Sequence, residues 1–196
     1  MDNTHRVVEI FNESIETISH AMDTISAEIS DAAAAMTEAL LQDRKILACG
    51  NGGSAADAQH FASEMLNRFE LERPGLPGLA LTTDTSTLTS IANDYDFRDV
   101  FSKQILALGQ PEDILLVITT SGNSPNLIRA VEAAKERHMR CIALNGRDGG
   151  RLTDSLGDND VNILITGPST ARIQEVHSII IHCFCDLVDR QLLGQL

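Results

Sequence analysis

The sequence predicts an α/β protein, a three-layer α-β-α sandwich built on a five-stranded parallel sheet. Two observations carry this reading. From Lys45 onward, short apolar runs alternate with helical patterns, and such alternation builds a parallel sheet with helices on both faces. Ahead of Lys45 lies a long amphipathic stretch with no glycine or proline, which reads as helix. A third observation bounds the answer: 196 residues without an internal repeat, low-complexity tract or linker suit one domain with a core of its own. The expectation is a single domain over 1–196, with a helical extension over 1–43 and an α/β core over 44–196 that includes a carboxyl-terminal helix.

Taken in order, "VVEIFNESIETISHAMDTI" and "AEISDAAAAMTEALLQ" carry apolar residues at helical spacing and form one or two helices. "KILACG" is the first strand, followed by a helix over 54–69. "GLPGLAL" is a second strand, and helical segments run through 85–108. "DILLVIT" is the third strand, leading to a helix over 124–138. "RCIALNG" is the fourth, a short helix falls near Arg151, and "DVNILIT" is the fifth. A last helix covers about 170–193. The apolar stripes of the first and last helices, Val7, Ile10 and Phe11 among them, exceed what one small domain needs and predict a helical interface between copies of the chain.

Composition removes several classes of function. A formal net charge of −13 argues against direct nucleic-acid binding, which needs clustered Lys and Arg. Acidity leaves room for a small anion held locally by backbone amides and hydroxyls. No apolar run reaches the roughly 20 residues needed to span a bilayer, and "MDNTHRVVEIFNES" has the character of neither a signal nor a transit peptide. A cytoplasmic protein without membrane association is expected. Cys49, Cys141, Cys183 and Cys185 lack paired CxxC spacing and read as buried thiols.

Ligands of doubly wound folds sit beyond the carboxyl ends of the strands, where loops become helix amino termini. Two such turns carry chemistry: "GNGGS" at 50–54 and "TTSGNS" at 119–124. Exposed amides and hydroxyls at a helix amino terminus, aided by the helix dipole, make a phosphate site. The plainer reading is that Ser124 caps its helix and the glycines turn the chain, but two loops in equivalent positions favour phosphate. Neither is a nucleotide motif, because GxGxxG would need glycine where Ala55 stands and the P-loop lysine is missing.

His60 and Glu64, four apart on the helix that the first loop opens, share one face. The spacing suits one divalent metal, a carboxylate base beside an imidazole, or a plain solvated contact. Gln174, Glu175, His177 and His182 interrupt the apolar last helix, as further site residues or as core and interface histidines. Gln174 and His182 stand eight residues apart, which is a rise of about 12 Å and an offset of about 80°.

Four stretches taken together, "CGNGGSAADAQHFASE", "IANDYDF", "TTSGNS" and "ARIQEVHSIIIH", resemble the phosphoheptose isomerase family of the sugar-isomerase (SIS) domain superfamily, whose fold is flavodoxin-like. The resemblance runs in order over nearly the whole chain. It implies conversion of D-sedoheptulose 7-phosphate to D-glycero-D-manno-heptose 7-phosphate through an enediol(ate), the first step of ADP-heptose biosynthesis, for lipopolysaccharide or another glycan. It implies Glu64 as the base and His182 as the acid or proton shuttle, with one zinc per subunit on His60, Glu64, Gln174 and His182; at their spacing the last two cannot chelate as an i, i+4 pair does, so long side chains converge from both directions or a neighbouring chain contributes part of the set. Implied sugar-phosphate contacts are Asn51, Gly52, Gly53, Ser54, Glu64, Asn93, Asp94, Thr119, Thr120, Ser121, Ser124 and Gln174. Thr119 departs from the serine common in the family and keeps the hydroxyl. A homotetramer is implied, with terminal helices packed between subunits and Arg68 or another residue of a neighbour approaching the sugar. The DnaA-binding regulators of replication initiation resemble the chain in layout and are the rival reading. Glu64 and the doubled glycine of "GNGGS" favour the enzyme.

Overall fold

A computed structural model of the chain describes residues 2–194. Its first helix, α1 (Asn3–Leu41), is continuous, as expected of a stretch without Gly or Pro whose alanines favour helix. Asp2 caps it by accepting the Thr4 N–H at 3.1 Å. The core follows as β1 (Ile46–Gly50), α2 (Gly53–Leu66), β2 (Gly78–Ala80), α3 (Thr85–Asp94), a 3-10 turn (Phe97–Asp99) and α4 (Ser102–Leu108). It continues as β3 (Ile114–Ile118), α5 (Pro125–Glu136), β4 (Arg140–Gly146), α6 (Gly150–Ser155), β5 (Val161–Ile165) and α7 (Thr170–Leu193).

Two boundaries differ from the sequence reading. The helix expected over 54–69 stops at Leu66, and the strand expected in "GLPGLAL" keeps only Gly78–Ala80. Pro74 and Pro77 lack the N–H that a ladder needs, and a short edge strand is where such residues are tolerated. All five strands run parallel in the order β2-β1-β3-β4-β5. The order reverses between β1 and β3, whose register pairs Ile46 with Ile114 and Gly50 with Ile118. The loops leaving those two strands therefore face each other across the switch point, where doubly wound folds bind ligands.

Strand side chains alternate between two cores. Ile46, Ala48, Leu116, Ile118, Leu144 and Ile163 pack with residues of α1, α2 and α7, while Leu47, Cys49, Leu115, Val117 and Ala143 pack with α4 and α5. Each large side chain buried this way contributes roughly 1.5–3 kcal/mol. α7 gives Ile173, Val176, Ile180, Ile181, Phe184 and Val188 to the first core, leaving Ile179 and Leu193 as its exposed large apolar residues. α1 is different: Val7, Val8, Phe11, Ile15 and Met22 are all more than half exposed, whereas Ile10 is half-buried. The first helix thus carries the larger uncovered stripe. Among the described residues no helix is long and apolar enough to cross a membrane.

Candidate active site

The first loop owes its shape to its glycines. A Cβ on Gly50 would lie 2.5 Å from the Ser54 carbonyl oxygen, so strand and helix approach too closely for a side chain. Gly52 takes φ +56 as the N-cap of α2 and supplies no side-chain cap, leaving that helix end to backbone groups. A Cβ on Gly53 would meet the amide of Gln174 at 2.4 Å.

The second loop is ordered by a hydroxyl. Thr119, 4% exposed, accepts the N–H groups of Ser121 at 3.4 Å and Gly122 at 3.2 Å. Ser124 occupies the N-cap of α5, with Pro125 next, yet its side chain makes no capping hydrogen bond. The hydroxyl is free of the plainer duty considered for it. Between the loops lies a cavity of about 80 Å³ lined by Asn51, Ser54, Ile118, Thr119, Thr120, Ser121, Ser124 and Leu127. None of these is charged, so an anion there would be held by hydroxyls, amides and the amino ends of α2 and α5. Roomier grooves of about 420 and 550 Å³ lie at the amino ends of β4 and β5 and are lined by Glu38, Arg140 and Asp160 among others. Lining chemistry, not size, selects the site.

Asn126 was missed by the sequence reading. It is 2% exposed and exchanges two hydrogen bonds with Asn51: Asn51 Nδ2 donates to Asn126 Oδ1 at 2.9 Å, and Asn126 Nδ2 donates to Asn51 Oδ1 at 2.8 Å. A polar residue in the first turn of α5 was its sole signal in the sequence.

The expected acid-base and metal residues gather where α2 and α7 meet. His60 Nε2 and His182 Nε2 are 3.1 Å apart, and Glu64 Oε1 lies 3.8 Å from His60 Nε2. The Phe69 ring stacks on His182, with centroids 5.7 Å apart and planes 28° from parallel. Gln174 sits elsewhere: its Nε2 donates to Asp57 Oδ2 at 3.0 Å, beside Gly53. The eight-residue spacing therefore spans two levels, Gln174 with the first loop and His182 with His60. Partial burial raises the Asp57 carboxyl above its usual range, opposed by the Gln174 hydrogen bond. His177 parts company with His182. It is fully buried, with Nε2 3.2 Å from the Asn145 carbonyl oxygen, and burial lowers its pKa to about 4.

Zinc takes histidine nitrogen at about 2.0–2.1 Å, so two tetrahedral ligands stand roughly 3.3 Å apart. The His60–His182 separation matches that figure, and the Glu64 carboxylate stands slightly farther out. Gln174 keeps Oε1 outside its bond to Asp57, since Nε2 is the donor there. Among the described residues no group of three His, Cys, Asp or Glu side chains closes on one point. The donor types and the histidine pair fit the metal. Asn93 and Asp94 bond to each other at 2.8 Å on the exposed end of α3, away from either loop's hydrogen bonds. Arg68 is exposed and reaches the carbonyls of Phe69 and Glu70.

Sheet order and switch-point loops define a doubly wound α/β protein of flavodoxin-like order, and a model of the SIS domain family matches residues 9–146. A phosphoheptose isomerase of Halorhodospira halophila is 58% identical over 194 residues, covering 99% of this chain and 98% of that one. Two solved structures share the fold at higher than superfamily likeness. The phosphoheptose isomerase of Neisseria gonorrhoeae superposes with a TM-score of 0.90 at 52% identity, over 95% of this chain and 98% of that one. That of Francisella tularensis gives 0.95 at 43% identity, over 97% and 100%. The chain belongs to the phosphoheptose isomerase family.

Proposed function

We propose that the chain is an aldose-ketose isomerase acting on sedoheptulose 7-phosphate. One observation carries the reading: the first cradle loop and the base Glu64 share the rigid helix α2, and His182 of α7 meets that helix at His60. From Gly53 to His60 the rise along α2 is about 10 Å, on the scale of an extended seven-carbon chain. A phosphate held between the 50–54 and 119–124 loops leaves the carbonyl end beside Glu64 and His182. Glu64 takes a proton from carbon 1, electron density moves onto the carbonyl oxygen at carbon 2, and an enediolate forms. Return of a proton to carbon 2, with His182 moving the hydroxyl proton between the two oxygens, gives the aldose. Atoms balance without an oxidant or reductant.

One zinc per subunit is proposed at His60, Glu64 and His182; Gln174, a level away and bonded to Asp57, would serve as the fourth donor only by turning its side chain toward the histidines. When bound, it would polarise the carbonyl and hydroxyl oxygens as a Lewis acid. A homotetramer is proposed on the strength of the uncovered α1 stripe and the family reading, with Asn93, Asp94 and a neighbour's Arg68 completing the sugar contacts. A cytoplasmic location and a supply of heptose for surface glycans rest on the family reading. The non-catalytic regulator is not favoured, since full-length relatives at 58% identity are phosphoheptose isomerases. The test compares turnover of sedoheptulose 7-phosphate with that of unphosphorylated sedoheptulose. Turnover of the phosphorylated sugar alone is expected, and equal turnover of both would overturn the cradle.

A further inference from the structure

The segment joining α2 to β2 holds an arginine that serves neither the cradle nor the surface. The side chain of Arg73 is 2% exposed, as is that of Asp189 on α7. Arg73 Nε donates to Asp189 Oδ1 at 2.5 Å, Nη2 to the Glu64 carbonyl oxygen at 3.0 Å, and Nη1 to the Met65 carbonyl oxygen at 2.9 Å. Those carbonyls belong to the last turn of α2, where a helix lacks internal donors and a cation is favoured. Asp189 follows His182 by seven residues, two turns along the same face of α7. The guanidinium thus ties the backbone of Glu64 to the helix face that carries His182.

Stability alone does not account for such a pair. Replacing a buried ion pair by apolar residues is often neutral or stabilising, and here Asp189 Oδ2 is buried without a partner. What the pair supplies is geometry. The bonds from Arg73 to α2 also close a loop that contains Phe69, whose ring stacks on His182. One clamp therefore bears on both members of the acid-base pair.

We infer that Arg73, through Asp189 and the Glu64 carbonyl, is a positioning residue that fixes the separation of Glu64 from His182. The inference rests on the reading of Glu64 as base and His182 as acid. The test is the double variant Arg73→Met/Asp189→Leu, which removes the clamp while filling its space. Melting within about 5 °C of wild type is expected. Its KM for sedoheptulose 7-phosphate should stay within about threefold, while kcat falls at least about tenfold, as misplacement on the ångström scale does. A kcat within about twofold of wild type, or a loss carried by KM with kcat retained, overturns the inference. Should the double variant not fold, Arg73→Lys keeps the charge opposite Asp189 and gives up the two-pronged hold on the carbonyls. It is expected to lose kcat at unchanged KM, and an unchanged kcat overturns the clamp. Glu64→Gln run in parallel separates the two failures. Retained turnover there sinks the base assignment, whereas lost turnover there with an active clamp variant sinks the clamp alone.

Discussion

Asn51 and Asn126 hold the 50–54 loop to the amino end of α5 through a reciprocal pair of amide hydrogen bonds, at 2.9 and 2.8 Å. Asn51 leaves β1 and Asn126 stands in the first turn of α5, so the pair bridges the point where strand order reverses. Removing one partner strands a polar group, which costs about 1–3 kcal/mol. Asn126→Ala should raise KM for the sugar phosphate roughly tenfold, the equivalent of about 1.4 kcal/mol, and alter kcat much less. Steady-state kinetics checks this, and an unchanged KM would show that the bridge does not set the cradle.

Gly52 and Gly53 are neighbours with different duties. A Cβ on Gly53 would strike Gln174, whereas nothing lies within 4 Å of one on Gly52, whose φ is +56. Gly52→Ala should cost roughly 1–3 kcal/mol of stability, because φ +56 with ψ −120 is a backbone conformation that a residue with a Cβ rarely adopts. Gly53→Ala should displace the Gln174 amide and depress activity more than stability. Thermal melts beside kinetic assays of both variants check the contrast.

How much of this was legible in the sequence follows from the range of each signal. The strands, the 50–54 and 119–124 turns and the His60–Glu64 pair rest on neighbours within a few residues, and the structure places them as periodicity and turn chemistry suggest. Ser124 was ambiguous between cap and ligand, and its unused hydroxyl needed coordinates to see. Asn126, Asp57 and Arg73 owe their roles to partners 75, 117 and 116 residues away, and no local pattern marks them. The shortening of β2 was readable from Pro77, which "GLPGLAL" displays. The level on α2 that Gln174 and His182 each occupy depends on how α7 lies against α2.

His177 gives the fold a pH dependence. Its pKa is lowered from 6.5 to about 4 by burial. Above the unfolded value the imidazole is neutral in both states. As pH falls from 6.5 toward 4, the unfolded chain binds a proton that the folded one refuses, so stability drops, by up to about 3 kcal/mol. His177→Gln, which retains a donor for the Asn145 carbonyl, should lose less melting temperature than wild type over this window. Parallel acid profiles of the two proteins would contradict the assignment.

The uncovered α1 stripe predicts its own test. Phe11 is 65% and Ile15 60% exposed, so Phe11→Ser with Ile15→Ser removes apolar area without touching the core. Sedimentation should find a smaller species than the wild-type assembly, with reduced activity. A fully active monomer at assay concentration would refute shared active sites.

Glu64 as general base is the claim on which the mechanism turns. The most direct measurement is turnover of sedoheptulose 7-phosphate by Glu64→Gln, with binding of the sugar phosphate followed in parallel by calorimetry. The variant should bind and yet turn over at least about a hundredfold more slowly, the scale of general base catalysis. Turnover equal to wild type would contradict the account.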